Sequence, residues 1–114
     1  MNIRNQVQLI GNVGGTPEIK ELSNDKSLAR FSVATQESYK DTHGNWVNKT
    51  DWHQVVAWGS SARNVEKLLD KGGEVALQGK LATRQWEDKN GEKRYTTEVI
   101  LNEFTLVGKK KEAI

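Results

Sequence analysis

The fold is decided by residues 51–80, DWHQVVAWGSSARNVEKLLDKGGEVALQGK, which predict a strand, a single helix and a second strand. The helix is predicted over residues 60–71, where the apolar residues at helical spacing are Ala62, Val65, Leu68 and Leu69. Ser60 or Ser61 is suited to cap the first turn of this helix, and Gly72 suits the left-handed position after its end.

Working outward from the helix, alternation of apolar and polar residues predicts strands over 5–13, 19–22, 28–36, 51–58, 74–86 and 94–107. Residues 39–50 are polar and predict a long, exposed hairpin connection, whereas Asn90-Gly91 predicts a tight hairpin. Glu103 interrupts the alternation of the last strand, which predicts a β-bulge there.

The strand at residues 19–22 is short, so the main count is five strands with one helix between the third and the fourth. Such a chain must cover its strand edges, and a small closed barrel with the helix plugging one end does so. We therefore expect an all-β protein with one helix, namely the OB-fold, a five-stranded Greek-key barrel. The predicted domain spans residues 1–108, and a short basic tail follows at 109–114.

Composition narrows the class of protein. The 114 residues are enough for one domain, and the absence of cysteine removes disulfides and thiolate metal sites. The formal net charge of +2 permits an anionic partner without requiring one. No apolar run is long enough to cross a bilayer, and no signal-peptide pattern follows Met1, so we expect a cytoplasmic protein.

Patterns typical of enzymes are missing. The two histidines, His43 and His53, have no partner at metal-ligand spacing. The glycine-rich residues 11–15 lack the Lys-Ser/Thr pair of a phosphate-binding loop and precede no helix, so they predict a strand end and a turn. We therefore expect neither catalysis nor a metal or cofactor.

The chain is hydrophilic but contains four tryptophans, and the composition does not explain them. Trp52 and Trp58 share one face of their predicted strand, because side chains on a strand alternate with a period of two. Their face also carries Gln54 and Val56, and the opposite face carries His53, Val55 and Ala57. Either the tryptophans point outward as a stacking platform, or they point into the core and His53 points out.

Tryptophan and cationic residues also share a face on the strand at 74–86. Leu77, Gly79 and Leu81 have the inward parity, and the outward parity is that of Lys80, Arg84 and Trp86. Exposed rings and cations suit single-stranded nucleic acid, since every base can stack on a ring and cations neutralise phosphates. Trp86 could instead pack at the barrel mouth. Trp46, in the polar hairpin, either anchors that loop or stacks on a ligand.

Several motifs, taken in order, resemble the bacterial single-stranded DNA-binding protein family over residues 3–107. They are VQLIGNVG at 7–14 followed by Pro17-Glu18, ATQESY at 34–39, TDWH at 50–53, residues 68–72, GKL at 79–81, TRQW at 83–86 and RYTTEV at 94–99. The resemblance implies an OB-fold that binds and protects single-stranded DNA without reading its sequence, in replication, recombination and repair. It also implies a homotetramer associated with the nucleoid.

The resemblance assigns roles to individual residues. Base stacking is implied for Tyr39, Trp52, Trp58 and Trp86. Phosphate neutralisation is expected of Arg84, Lys80, Lys49 and Lys71, with Gln54 also in the DNA site. At Gln54, Ala82 and Ser60 the family carries basic residues that this chain lacks. The oligomer interface is expected to include Val7, Leu9 and His53.

Two other functions fit some of these observations. One is a tail-less primosomal replication-restart paralogue, which would be a dimer. The other is a protein-interaction module that uses the exposed aromatic side chains. The family also recruits partner enzymes through an acidic tip ending in Pro-Phe, and the basic residues 109–114 give no support to such recruitment here.

Overall fold

The computed structural model describes residues 3–22 and 26–108. It contains six strands and one helix, in the order β1 (Val7–Val13), β2 (Glu18–Leu22), β3 (Lys26–Lys40), β4 (Trp46–Trp58), α1 (Ser60–Leu68), β5 (Glu74–Glu87) and β6 (Lys93–Gly108). The predicted tail at 109–114 lies outside the described residues.

Five of the strands close into a barrel in the order β1-β5-β6-β4-β3. The ring is closed where Asn12 and Val13 of β1 pair with β3, and where β4 and β6 run parallel at Val55 and Val99. The short β2 pairs with the start of β3 outside this ring. The architecture is the predicted OB-fold, with α1 between β4 and β5.

Small branched side chains fill the barrel, and the most deeply buried are Val13, Val33, Val55, Val65 and Val75. Inward positions of the strands alternate with outward ones, as the period of two requires. Phe31, Leu77 and Leu101 complete this core with the larger side chains. The barrel interior is therefore packed, and any ligand must bind on its outside.

Helix α1 covers one end of the core with Ala62 and Val65, both fully buried. Its residues lie against β3, β4 and β6, so the predicted plug is observed. The predicted serine cap is wrong, because the N-cap is Gly59 and no side-chain hydrogen bond caps the first turn. Gly59 has a φ of 61°, a left-handed conformation that glycine adopts without a Cβ clash.

Two hairpins continue beyond the barrel as arms. Arm 1 comprises residues 36–50 of β3 and β4, and arm 2 comprises residues 82–98 of β5 and β6. The prediction of a long connection over 39–50 was wrong, since strand pairing continues to Lys40 and Trp46. The polar composition there reflects a ladder with solvent on both faces. Because β4 and β6 are parallel and both begin at an arm, the two arms leave the same end of the barrel.

A register shift bends the sheet near the root of arm 2. Gln78 pairs with Glu103 and Gly79 pairs with Leu101, so Asn102 is an extra residue on β6, next to the predicted bulge at Glu103. A Cβ on Gly79 would collide with the carbonyl oxygen of Ile100, so the strands approach more closely here than any larger residue allows.

Candidate nucleic-acid interface

The four tryptophans share one surface, here called the tryptophan face. On β4 the tryptophans are Trp46, Trp52 and Trp58, and their partners across the ladder are Lys40, Ala34 and Leu28. All of these positions are even-numbered and therefore lie on one side of the two strands. On β5 and β6 the same outward side carries Trp86, Arg84 and Lys80, since Val56 of β4 lies beside Ile100 of β6.

All four rings are exposed. The exposed fraction is 69% for Trp46, 59% for Trp52, 47% for Trp58 and 42% for Trp86. The interpretation that Trp52 and Trp58 fill the core is thus wrong, and so is an anchoring role for Trp86 at the barrel mouth. Indole rings are large apolar surfaces, and a row of them in water is typical of a binding surface.

Trp52 lies at the root of arm 1 over a glycine. A Cβ on Gly14 would collide with the ring of Trp52 and would come 2.7 Å from Ser32 Oγ. The Gly14 N–H also donates to the Ser32 carbonyl oxygen at 2.9 Å, which holds the backbone in place. Gly14 therefore provides a floor on which the Trp52 ring rests with its other side exposed.

Trp86 is held in arm 2 by a hydrogen bond. Its Nε1–H donates to Oγ1 of Thr96 on the neighbouring strand at 2.8 Å. This bond satisfies the polar atom of the indole within the protein. The ring is therefore oriented before any ligand arrives.

A nearly buried carboxylate at the root of arm 2 joins two arginines. The Arg30 Nη1 of β3 donates to Glu98 Oε2, and the Arg84 Nε of β5 donates to Glu98 Oε1, both at 3.2 Å. The Glu98 side chain is only 8% exposed, whereas the arginine side chains are 42% and 48% exposed. Three charges thus leave one net positive charge on the tryptophan face, with guanidinium edges open to solvent.

Gln54 and Lys80 complete the predicted residues on this face, and both are exposed. Val56 has the predicted outward parity but is buried at 2% exposure, because it lies between Arg30 and Ile100 on the flanking strands. Leu81 was predicted to face inward, yet it is 49% exposed. At Leu81 the strand β1 has ended, and the side chain of Asn5 takes its place by bonding the backbone of Leu81.

The comparison with protein families assigns the chain to a family. The model of the single-strand binding protein family matches residues 4–107. The chain belongs to this family. The members of the single-strand binding protein family are binding proteins, and among the residues described here no three His, Asp or Glu side chains are grouped so as to hold a metal ion. The described helix is too short and too polar to cross a membrane.

Individual relatives agree with the family assignment. The chain is 41% identical over 107 residues to single-stranded DNA-binding protein 1 of Chlorobaculum tepidum, covering 93% of this chain and 66% of the relative. It is 42% identical over 109 residues to single-stranded DNA-binding protein 1 of Xylella fastidiosa, covering 95% of this chain and 80% of the relative.

A solved structure shares the fold. The structure described as Plasmodium falciparum SSB in complex with ssDNA superposes with a TM-score of 0.83 at 35% identity, covering 91% of this chain and 95% of that one. The fold of this chain is therefore shared with that single-strand binding protein.

Three residues predicted to belong to the DNA site lie away from the tryptophan face. Tyr39 and Lys49 are odd-numbered and lie on the opposite side of arm 1, where Lys49 pairs with Asp51 at 3.8 Å. Tyr39 is 48% exposed. Lys71 is exposed in the turn between α1 and β5, at the end of the barrel opposite the arms.

The residues assigned to the oligomer interface contact their own chain. Val7 and Leu9 are half-buried and pack against the barrel core. His53 has the predicted inward parity, and its Nε2 lies 2.9 Å from Thr35 Oγ1. Ile10, on the opposite side of β1, is 63% exposed and was not singled out from the sequence.

Sequence reasoning also missed Arg30 and Glu98. The outward parity of Arg30 was visible in its strand, but its link to Glu98 joins residues 68 positions apart. Only the pairing of β4 with β6 brings those positions together. Tyr95 was missed as well. It is 68% exposed on the side of arm 2 opposite Trp86, where it pairs with Gln85.

Proposed function

We propose that this protein binds single-stranded DNA without sequence readout and protects it during replication, recombination and repair, without catalysing a reaction. The observation that carries the proposal is the tryptophan face, four exposed rings beside the Arg30–Glu98–Arg84 cluster. Rings stack on any base, because every base has a flat face, so such a surface is indifferent to sequence. The names of the relatives and of the solved complex support the same ligand.

In this proposal Trp52, Trp58 and Trp86 stack on bases while polar groups between them meet the backbone. Arg84 and Lys80 lie on the same outward side as the rings, and they neutralise phosphates there. Gln54, across the ladder from Ser32, offers hydrogen bonds without charge. Phosphate binding to Arg84 competes with Glu98, whose carboxylate already accepts from that guanidinium.

Tyr39, Lys49 and Lys71 join the site only if the DNA follows a curved path. Tyr39 and Lys49 lie behind arm 1, so we assign them to a strand of DNA that turns around the edge of that arm. β4 and β6 are parallel, so Trp58 at the end of β4 lies at the same end of the barrel as the end of β6. The end of β6 pairs with the start of β5, and Lys71 comes just before β5, so Lys71 lies at that end too. We assign Lys71 to phosphates beyond Trp58.

We also propose self-association through β1, as a homotetramer. Among the described residues, β1 pairs with β5 from Val7 to Asn12 but meets β3 only at Asn12 and Val13. The other edge of residues 7–11 thus offers backbone groups to a second copy. Val7, Leu9 and His53 are assigned to the interface, with Ile10 as an exposed apolar addition. Sedimentation should give four copies, and a dimer would favour the replication-restart alternative.

The proposed ligand is tested by titrating the protein with poly(dT) while recording tryptophan emission. Stacking should quench the emission, and the logarithm of the affinity should fall with the logarithm of salt concentration by about 0.7 for each phosphate contact. Trp52→Ala should weaken binding by about 1–3 kcal/mol. Thr42→Ala, an exposed change in the turn of arm 1, serves as the control. Unchanged emission and no binding at low salt would disprove the proposal.

A protein-interaction module makes the opposite prediction. If the rings served only a protein partner, Trp52→Ala and Trp86→Ala would leave the affinity for poly(dT) unchanged. The same titration therefore separates the two functions.

A further inference from the structure

We propose that Trp46 is an additional base-stacking site at the tip of arm 1, and that it extends the single-stranded DNA site beyond the barrel. The proposal rests on the proposed function, because it assumes that the tryptophan face binds DNA. It concerns a residue for which the family resemblance assigns no role.

The first observation is the spacing along β4. Trp46, Trp52 and Trp58 are six residues apart, an even number, so they all project from one side of the strand. The β3–β4 ladder is continuous from Leu28–Trp58 to Lys40–Trp46, so no bulge changes the side on which the rings lie. At about 3.3 Å per residue, neighbouring rings are about 20 Å apart and the row extends for about 40 Å.

The second observation is exposure. Trp46 is the most exposed of the four tryptophans at 69%, although it lies within a strand and not in the turn. This exposure contradicts the interpretation of Trp46 as an anchor that packs the loop. A large apolar ring held in water at the end of an ordered ladder is suited to a ligand that covers it.

The third observation is the cation beneath the ring. Lys40 Nζ lies 5.4 Å from the centroid of the Trp46 ring, a distance typical of a cation–π contact. Lys40 is the direct partner of Trp46 across the ladder and is exposed. The tip of arm 1 thus combines a ring with a cation, as Trp86 and Arg84 do in arm 2 on the same face.

These observations predict that Trp46 adds to the binding affinity only when the DNA is long enough to reach it. A short oligonucleotide covers Trp52 and Trp58 and leaves the tip empty. A longer one continues along the same side of β4 to Trp46, where its phosphates also meet Lys40. The contribution of Trp46 therefore depends on DNA length, whereas a general effect on folding would not.

The test compares Trp46→Ala, Trp46→Phe and the turn control Thr42→Ala across dT oligomers of increasing length. Trp46→Ala should weaken binding of long oligomers about fivefold or more and leave binding of the shortest ones unchanged. Trp46→Phe keeps a ring and should retain most of the affinity. Lys40→Met should lower the salt slope for long oligomers by about 0.7.

A second measurement reads the ring directly. In the triple variant Trp52→Phe, Trp58→Phe and Trp86→Phe, Trp46 is the remaining tryptophan, so its emission reports contact at the tip. Quenching by long but not by short dT oligomers would support the inference. Suppose that the natural chain binds poly(dT), that Trp46→Ala binds dT oligomers of every length as tightly as the natural chain does, and that Trp46 emission does not change. The inference is then wrong and the proposed function stands. If the natural chain fails to bind, the proposed function itself is wrong.

Discussion

Arm 1 and arm 2 close with the same turn but carry different side chains. In arm 1, Asp41 Oδ1 accepts from the N–H groups of His43 and Asn45, both at 2.9 Å. In arm 2, Asp88 Oδ1 accepts from the residues two and four positions later at 2.9 and 3.0 Å. The glycine three positions after each aspartate is left-handed, with φ of 80° in arm 1 and 77° in arm 2.

The arms differ in how their rings are held. In arm 2 the Trp86 ring is bonded to Thr96, and Arg94 is paired with Asp88 at 3.0 Å. In arm 1 the Trp46 ring has a cation–π contact with Lys40, and at the root of this arm the Trp52 ring lies over Gly14. Hydrogen bonds fix the direction of a ring, whereas cation–π and apolar contacts leave it freer to rotate. We infer that the Trp86 ring of arm 2 is preorganised, whereas the row of rings along β4 in and beside arm 1 can adjust its orientation to a ligand, and we call these a preorganised ring and an adjustable row.

The largest expected effect is at the root of arm 2, where Glu98 joins β6 to Arg30 and Arg84. Glu98→Ala removes two charge-assisted hydrogen bonds from a nearly buried site. We expect a loss of about 2 kcal/mol in the free energy of unfolding, discounted because both guanidinium groups are half-exposed. Urea denaturation measures this loss. Arm 1 has no corresponding ion pair to β6 among the described residues.

The same change should act in the opposite direction on DNA. Without the carboxylate, both guanidinium groups are available to phosphates, so the folded variant should bind poly(dT) at least as tightly and with a steeper salt dependence. Glu98→Gln, which keeps an acceptor and the side-chain shape, should lose less stability and still show the steeper slope. Unchanged unfolding and an unchanged slope would show that the cluster matters neither to the barrel nor to the ligand.

The two turns provide a matched pair of substitutions. Gly44→Ala and Gly91→Ala each place a Cβ on a residue with positive φ, at an expected cost of about 1–2 kcal/mol in the stability of the turn. Because the two turns have the same pattern of hydrogen bonds, we expect the two substitutions to lower the stability of their turns by similar amounts. Amide hydrogen exchange in each arm measures the local effect, and Asn substitutions, which tolerate this conformation, serve as controls. A much smaller loss in one arm would show that its side chains, and not the turn, hold that arm closed.

Local patterns predicted the barrel well. Alternation placed Trp52 and Trp58 on one shared face and Trp86 on the outward parity, and the exposure of the rings agrees. Helical spacing placed α1 between the correct strands. Arm 1 was predicted less well than arm 2, whose predicted strand ends at 86 and 94 lie within one residue of the observed ones. The ladder of arm 1 has solvent on both sides, so no apolar face marks it. Residues 39–50 therefore resembled a loop although the strands continue through them.

The ion pairs of the site were beyond sequence reasoning for a different reason. Glu98 and Arg30 meet only because β4 and β6 are parallel neighbours, a pairing that no local pattern encodes. The burial of Val56 has the same origin, since its cover comes from the strands on both sides. Contacts between distant strands need the register, which the structure supplies.

A smaller effect is expected at Thr96, which orients the ring of arm 2. Thr96→Val keeps the shape of the side chain and removes the acceptor for Trp86 Nε1, a bond worth about 1 kcal/mol. We expect poly(dT) affinity to fall a few-fold with little loss of stability. Ser38→Ala removes a bond to Asn48 on the tryptophan face of arm 1 and should leave affinity unchanged, since no ring depends on it. Equal effects of both changes would contradict the distinction between a preorganised ring and an adjustable row.

The smallest effect concerns pH and the turn of arm 2. The backbone N–H of Glu92, followed by Arg94 and the N–H of Asn90, holds the pKa of Asp88 below its ordinary value. A lowered pKa in the folded arm means that the ionised carboxylate stabilises the turn fully above the ordinary value, near pH 4, and less as the pH falls through the lowered one. Asp88→Asn keeps an acceptor for the turn but cannot titrate. The difference in arm 2 between the natural chain and Asp88→Asn, followed by NMR of the Glu92 amide, should therefore shrink as the pH falls below 4. A difference that persists unchanged to the lowest pH would mean that the charge of Asp88 does not stabilise the turn of arm 2.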